Sequence, residues 1–238
     1  MRSLHIAAPL AALLTLLGCA DLTVVRQYSR ESSQLAAYTD LTVRYRDTFA
    51  REEPYLDERT LQSELALDAQ RKQSIDDLMK IHQCLTSYMD TLGRLAGDDA
   101  FSLAEEIDTV GGRIREIPDL GITADHVDAY VKVTQIIARW ATASIQEKAV
   151  RSMVVEGDPQ VQKLVAAMRL LVKIYARVNH DERARVLGVF DINLPYADEK
   201  KEALLNRLAR AHLQAKKAEY DAAERKYAEA DKALAAIA

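Results

Sequence analysis

Residues 75–92 read Ile-Asp-Asp-Leu-Met-Lys-Ile-His-Gln-Cys-Leu-Thr-Ser-Tyr-Met-Asp-Thr-Leu. Within them Ile75, Leu78, His82, Leu85, Met89 and Leu92 recur at spacings of 3, 4, 3, 4 and 3. That rhythm lays the six side chains along one seam of a helix, and the seam asks for a second helix to cover it. The block around it, from about residue 57 to residue 95, contains no proline and is far too long for a strand. Gly93 and Gly97 supply the stop, and Asp98 and Asp99 suit the start of the next helix.

Working outward, the same pattern returns on both sides. Leu103, Ile107, Val110, Ile114 and Ile117 keep one apolar face across Gly111 and Gly112, where two adjacent glycines predict a kink. A fourth block opens after Thr123, a suitable N-cap, and runs to about Glu156. Its Val127, Tyr130, Val131, Ile136, Ile137, Trp140 and Ile145 spread over more than one face, which predicts the central helix of the bundle. Gly157, Asp158 and Pro159 then read as a stop, an N-cap and a first-turn proline, the signature of a helical hairpin.

The fifth helix, from Val161 to Val178, is expected to end near Asn179 and His180. A short segment over 182–189 and a connection over 191–195 lead to a last block from Tyr196 to Ile237. There Tyr220, Ala223, Tyr227, Ala230, Leu234 and Ile237 again alternate 3 and 4 apart. Ahead of residue 57, Tyr28, Leu35, Tyr38, Tyr45 and Phe49 form a tyrosine-rich seam over residues 22–51, expected to send its hydroxyls to water. No period-2 run bounded by turn residues competes with these readings. The expected fold is all-α: an elongated antiparallel helical bundle with a long, charged, Ala-rich C-terminal helix. Its expected segments are 1–18, 19–195 and 196–238, the last coiled-coil-like.

Composition narrows the function classes. Of 238 residues 49% are hydrophobic and only 8 are Gly and 5 Pro, so collagen-like and extensively disordered chains are excluded. Lys and Arg number 32 against 36 Asp and Glu, so no global positive field gathers a polyanion, and no nucleic-acid partner is expected.

The N-terminus carries a different signal. Arg2 precedes an apolar run from Leu4 to Leu17, too short for a spanning helix and of the length of a signal-peptide core. The run ends Leu16-Leu17-Gly18-Cys19, which resembles the lipobox of bacterial lipoproteins. That resemblance covers the first segment alone. It implies cleavage before Cys19, acylation of its thiol and new N-terminus, and a membrane partner reached through that lipid. It also implies a chain facing the periplasm, with Ala20 favouring the outer over the inner membrane. Each buried acyl CH2 contributes roughly 0.8 kcal/mol, so several chains make a durable anchor. Cys84 is then the only remaining thiol, no internal disulfide forms, and Cys84 is expected to pack as a small hydrophobe.

Catalytic signatures are missing: no Gly-rich phosphate loop, no Gly-x-Ser-x-Gly, no His-Glu-x-x-His and no paired Cys-x-x-Cys occurs. Adjacent acids at Asp76–Asp77 and Glu105–Glu106 diverge around a helix and read as solvated faces. Met79, His82 and Met89 are soft ligand types that a copper site uses, and Met79 and His82 share a face. Against that stands the plainer reading of a core stripe with a hydrogen-bonded histidine and gap-filling methionines. His126 and His180 read as helix-end residues.

The sequence therefore points to a non-enzymatic, cofactor-free, lipid-anchored interaction or scaffold module. Its C-terminal helix is expected to meet a protein partner or a second copy through Tyr220, Tyr227, Leu234 and Ile237, unless that seam is covered by another helix of the same chain. The alternatives are a periplasmic sensor of a small ligand or metal near Trp140 or His82, and an envelope immunity or inhibitor protein.

Overall fold

The structure, a computed structural model, describes residues 22–33, 37–97, 112–141, 147–198 and 200–237. They form α1 (Leu22–Ser33), α2 (Ala37–Arg46), α3 (Thr48–Glu52), α4 (Glu58–Leu95), α5 (Ala124–Trp140), α6 (Glu147–Asn193) and α7 (Ala203–Ile237). Short 3-10 turns occupy Glu53–Tyr55, Pro118–Leu120 and Leu194–Tyr196. Among the described residues no strand occurs, and one antiparallel bridge joins Ile117 to Ile122. The all-α expectation holds, as does the long C-terminal helix.

Two antiparallel helices, α4 and α6, make the spine. Tyr88 of α4 lies beside Met153 of α6, and Glu64 near the start of α4 lies beside Arg185 near the end of α6. At about 1.5 Å per residue the 47 residues of α6 span on the order of 70 Å. Around one half of this spine pack α1 and α5. Arg26 of α1 donates to the Ala96 carbonyl at 3.3 Å, and Arg94 of α4 donates to the Trp140 carbonyl at 2.7 Å. Around the other half pack α2, α3 and α7, with α7 running back along α6 through Arg183–Asp221 at 2.8 Å and Arg169–Asp231 at 3.0 Å. Each stretch of the rod thus has neighbours enough to bury the 3-4 seams.

The seam that opened the sequence reading is the core. Leu78, His82, Leu85, Met89 and Leu92 are all buried, as is Cys84. Helix α4 starts where Asp57 accepts from the Thr60 amide at 2.8 Å, and it ends at Leu95 before Gly97, whose φ of 83° suits a residue without Cβ. Thr123 caps α5 as expected, in a reciprocal box in which the Thr123 amide donates to His126 Nδ1 at 3.1 Å.

Four expectations fail. First, no hairpin forms at Gly157-Asp158-Pro159, because α6 runs straight through them. A proline removes one backbone hydrogen bond, and tertiary packing on a helix this long outweighs that loss. Gly157 is buried, and a Cβ there would collide with the Tyr88 ring; the Tyr88 hydroxyl donates to the Met153 carbonyl at 3.1 Å. The glycine is thus a seat for an aromatic ring and not a stop signal.

Second, α6 does not end near Asn179–His180; it continues to Asn193, and His180 is an exposed mid-helix residue. Third, the fourth block is not the central helix. Helix α5 ends at Trp140, a new helix starts at Glu147, and α5 keeps an exposed face at Asp125, Asp128, Lys132 and Gln135. Its breadth of apolar residues reflects contact with both spine helices. Fourth, residues 113–116 are not helical. Gly112 has φ 99°, and buried Ile114 reaches the core from a non-helical segment pinned by Arg115, whose Nε donates to Asp77 at 2.8 Å. The Leu103 to Val110 part of that block and Gly111 lie outside the described residues, as do Leu35, Ile145, Glu105, Glu106 and Cys19.

Candidate functional site

The apolar core is interrupted. The main cluster runs along the spine, while Val186, Leu187, Leu213 and Tyr220, with Tyr55, Phe190 and Leu194 against them, form a smaller core near the α6–α7 turn. Between them lies a layer of charged side chains taken out of water. Glu52 and Glu182 are completely buried, and Glu64 and Arg71 are nearly so.

The layer is built from five helices. Arg51 of α3 grips Glu182 of α6 with two bonds, Nε to Oε1 at 2.9 Å and Nη2 to Oε2 at 2.7 Å, and the Tyr220 hydroxyl of α7 donates to the same Oε1 at 2.9 Å. Arg185 of α6 donates to Glu52 Oε2 at 2.9 Å through Nε, and its Nη2 lies 3.4 Å from Glu64 Oε1. Arg71, about two turns further along α4, closes the chain on Glu64 Oε2 at 3.0 Å. Arg44 of α2 holds Asn179 and Glu219 at 3.0 Å each and lies 5.6 Å from the Tyr220 ring centre. Bidentate pairing of this kind is what makes buried carboxylates tolerable.

One carboxyl is not fully served. Glu52 Oε1 is buried and has no hydrogen-bond partner, and Glu64 stands beside it. Burial pushes the Glu52 carboxyl up to about 7 from its usual value near 4.5, with Arg185 opposing the shift and Glu64 adding to it. The chemistry available here is proton uptake at Glu52, whose carboxyl is raised toward neutrality by its burial.

The residues singled out by sequence fall elsewhere. Tyr220, Tyr227, Leu234 and Ile237 are all buried inside this chain, so of the two arrangements the seam allowed it packs within the chain and not on another molecule. Their cover is α6 and α2 of the same chain, and at Ile237 also α1, where the Tyr28 hydroxyl donates to its carbonyl at 3.3 Å. Tyr38 likewise donates to the Ala230 carbonyl, and Tyr45 stacks on Tyr175 with centres 4.5 Å apart, so these hydroxyls and rings face protein and not water.

His82 sits in the core, Nε2 at 3.3 Å from Thr42 Oγ1 and edge-on to Tyr38. Burial lowers it to about 4, which keeps the imidazole neutral. Met89 is buried with it and Met79 half-buried, as the core-stripe reading expects. Among the described residues no group of three or more His, Cys, Asp or Glu is placed to hold a metal ion. The Cys84 thiol is buried and pushed well above its usual range, an inert state. Tyr130 is core and Trp140 half-buried. Asp77, read as solvated, is buried on Arg115, while Asp76 is exposed.

What the sequence reading missed is the outer side of α7. Leu204, Leu205 and Leu208 are 72%, 62% and 59% exposed, and Tyr196 and Ile192 at the adjoining turn are 88% and 68% exposed. Five large apolar residues gathered at one turn are more than scattered surface hydrophobics, and such patches mark contact sites. No family model, no curated protein and no solved structure matches the chain.

Proposed function

We propose that this chain is a lipid-anchored, non-enzymatic interaction module of the bacterial cell envelope, held by acylated Cys19 on the periplasmic face of a membrane. The outer membrane is the favoured site, on the residue after Cys19. The observation that carries the reading is the Leu16-Leu17-Gly18-Cys19 sequence placed directly before α1. Support comes from the body that follows: a rod of long helices whose first described residues lie at the end of the spine where α4 stops. No described helix is long and apolar enough to cross a membrane. A tether at residue 19 would leave the flank of α7 open to a partner.

The test is metabolic labelling with radioactive palmitate, followed by separation of membranes. The wild-type chain takes up label and sediments with membranes, while Cys19→Ala does neither. An unlabelled wild-type chain recovered in the soluble fraction would overturn the reading.

A further inference from the structure

The side of α7 turned away from the core carries a second heptad seam that the first one hides in the sequence. Leu204, Leu208, Ala211, Ala215, Ala218 and Ala222 are spaced 4, 3, 4, 3 and 4. On a helix they fall within about 40° of one line. The first five are exposed and Ala222 half-buried, whereas the core-facing seam of Asn206, Leu213, Tyr220 and Tyr227 is buried.

The seam is self-complementary when read in reverse. An antiparallel copy centred near residue 213 sets Leu204 against Ala222, Leu208 against Ala218 and Ala211 against Ala215, a large residue facing a small one at each end. Charge follows the same direction. Residues 203–217 carry Arg207, Arg210, Lys216 and Lys217 and no acid, while residues 218–232 carry five acids and three bases. Beside the seam, Arg207 then meets Asp221, and Gln214 meets its own counterpart. A parallel pair would instead lay the basic half on the basic half. Paired sides with opposite charge at flanking positions set the orientation of two-helix contacts, and a twofold axis requires such self-complementarity.

We propose that two copies of this chain pair through the outer face of α7, antiparallel, about a twofold axis near residue 213. The inference rests on the interaction-module reading and names its partner as a second copy. Because the axis lies toward the far end of the rod, the two α1 ends stand at opposite ends of the pair, and tethered copies pair while lying along the membrane.

Single cysteines placed in the full chain and cross-linked in intact membranes test it. Gln214→Cys, next to the axis, links to itself. Leu204→Cys alone does not, since two antiparallel copies hold it on the order of 27 Å apart along the helix, but it links to a co-expressed Ala222→Cys chain carrying a different tag. Adding Leu208→Glu, at an exposed site, abolishes linking through Gln214→Cys while the circular dichroism of the purified protein stays helical. Self-linking of Leu204→Cys would mean a parallel pair and overturn the proposal. So would linking of Gln214→Cys only to a different protein, or a wild-type chain that sediments as a monomer. Palmitate uptake is unaffected by these substitutions, so their failure leaves the anchored reading intact.

Discussion

Glu52 and His82 are buried titratable groups whose linkages to stability run in opposite directions. His82 is lowered to about 4 from an unfolded value near 6.5, so its contribution is complete above pH 6.5 and is lost as pH falls toward 4. Glu52 is raised to about 7 from about 4.5, so its contribution is complete below pH 4.5 and is lost as pH rises through 7. Between pH 4.5 and 6.5 the two slopes oppose each other. Urea denaturation across pH 4–8 should therefore show a shallow profile for the wild type. In Glu52→Gln, stability should rise clearly from pH 4 to pH 6.5. In His82→Gln it should fall from pH 4.5 to pH 7. A His82→Gln profile parallel to that of the wild type would mean that the imidazole is solvated and titrates in the folded chain as it does in the unfolded one.

Gly157 is the other informative residue. The missing Cβ is the space that the Tyr88 ring fills, so Gly157→Ala forces the ring aside and should destabilise by about 1–3 kcal/mol, despite the better helix propensity of alanine. Tyr88→Phe loses only the bond to the Met153 carbonyl and should cost about 1 kcal/mol. If Gly157→Ala instead raised the urea midpoint, Tyr88 would not be seated against α6.

At the scale of elements, the sequence was legible wherever one seam met one partner. The 3-4 rhythm of residues 75–92 marked α4, the alternation from Tyr220 to Ile237 marked α7, and Thr123 marked the start of α5. Local signals misled at the long helix. Gly157, Asp158 and Pro159 each have the right chemistry for a turn, yet each also fits a helix that is clamped on both sides. Nothing within a few residues of Pro159 reveals that Tyr88, far away in sequence, needs the space. Since Pro159 lies inside α6, Pro159→Ala restores a backbone donor without removing a turn. It should stabilise the chain by roughly 1–2 kcal/mol, with hydrogen exchange slowing at residues 155–163. A hairpin at this point would predict the reverse.

The charged layer was equally hidden. Glu52, Glu64, Arg71, Glu182 and Arg185 come from three helices and look, one at a time, like solvated surface residues. Only the fold brings them together, and only their mutual pairing lets them be buried. The outer seam of α7 was hidden for another reason: its alanines read as helix propensity, and the stronger tyrosine seam on the opposite face drew the periodicity to itself.

For the molecule as a whole, the proposed function rests on the length of the helical body and on the proposed tether. A rod on the order of 70 Å long is made of helices that cover one another. It offers flanks. Its interior is occupied by its own side chains, including the very tyrosines that the sequence advertised for a partner, and five of its exposed large apolar side chains gather along α7 and at the adjoining turn. On the proposed reading, a module of this shape acts by being held in place and by what its flank meets.

The most direct measurement of that account is the intact mass of the N-terminal peptide from protein extracted from membranes. The expected product begins at Cys19 and carries the added mass of diacylglyceryl and an N-acyl chain, while Cys19→Ala retains residues 1–18. A wild-type peptide that begins elsewhere, or that carries an unmodified Cys19, would contradict the central claim.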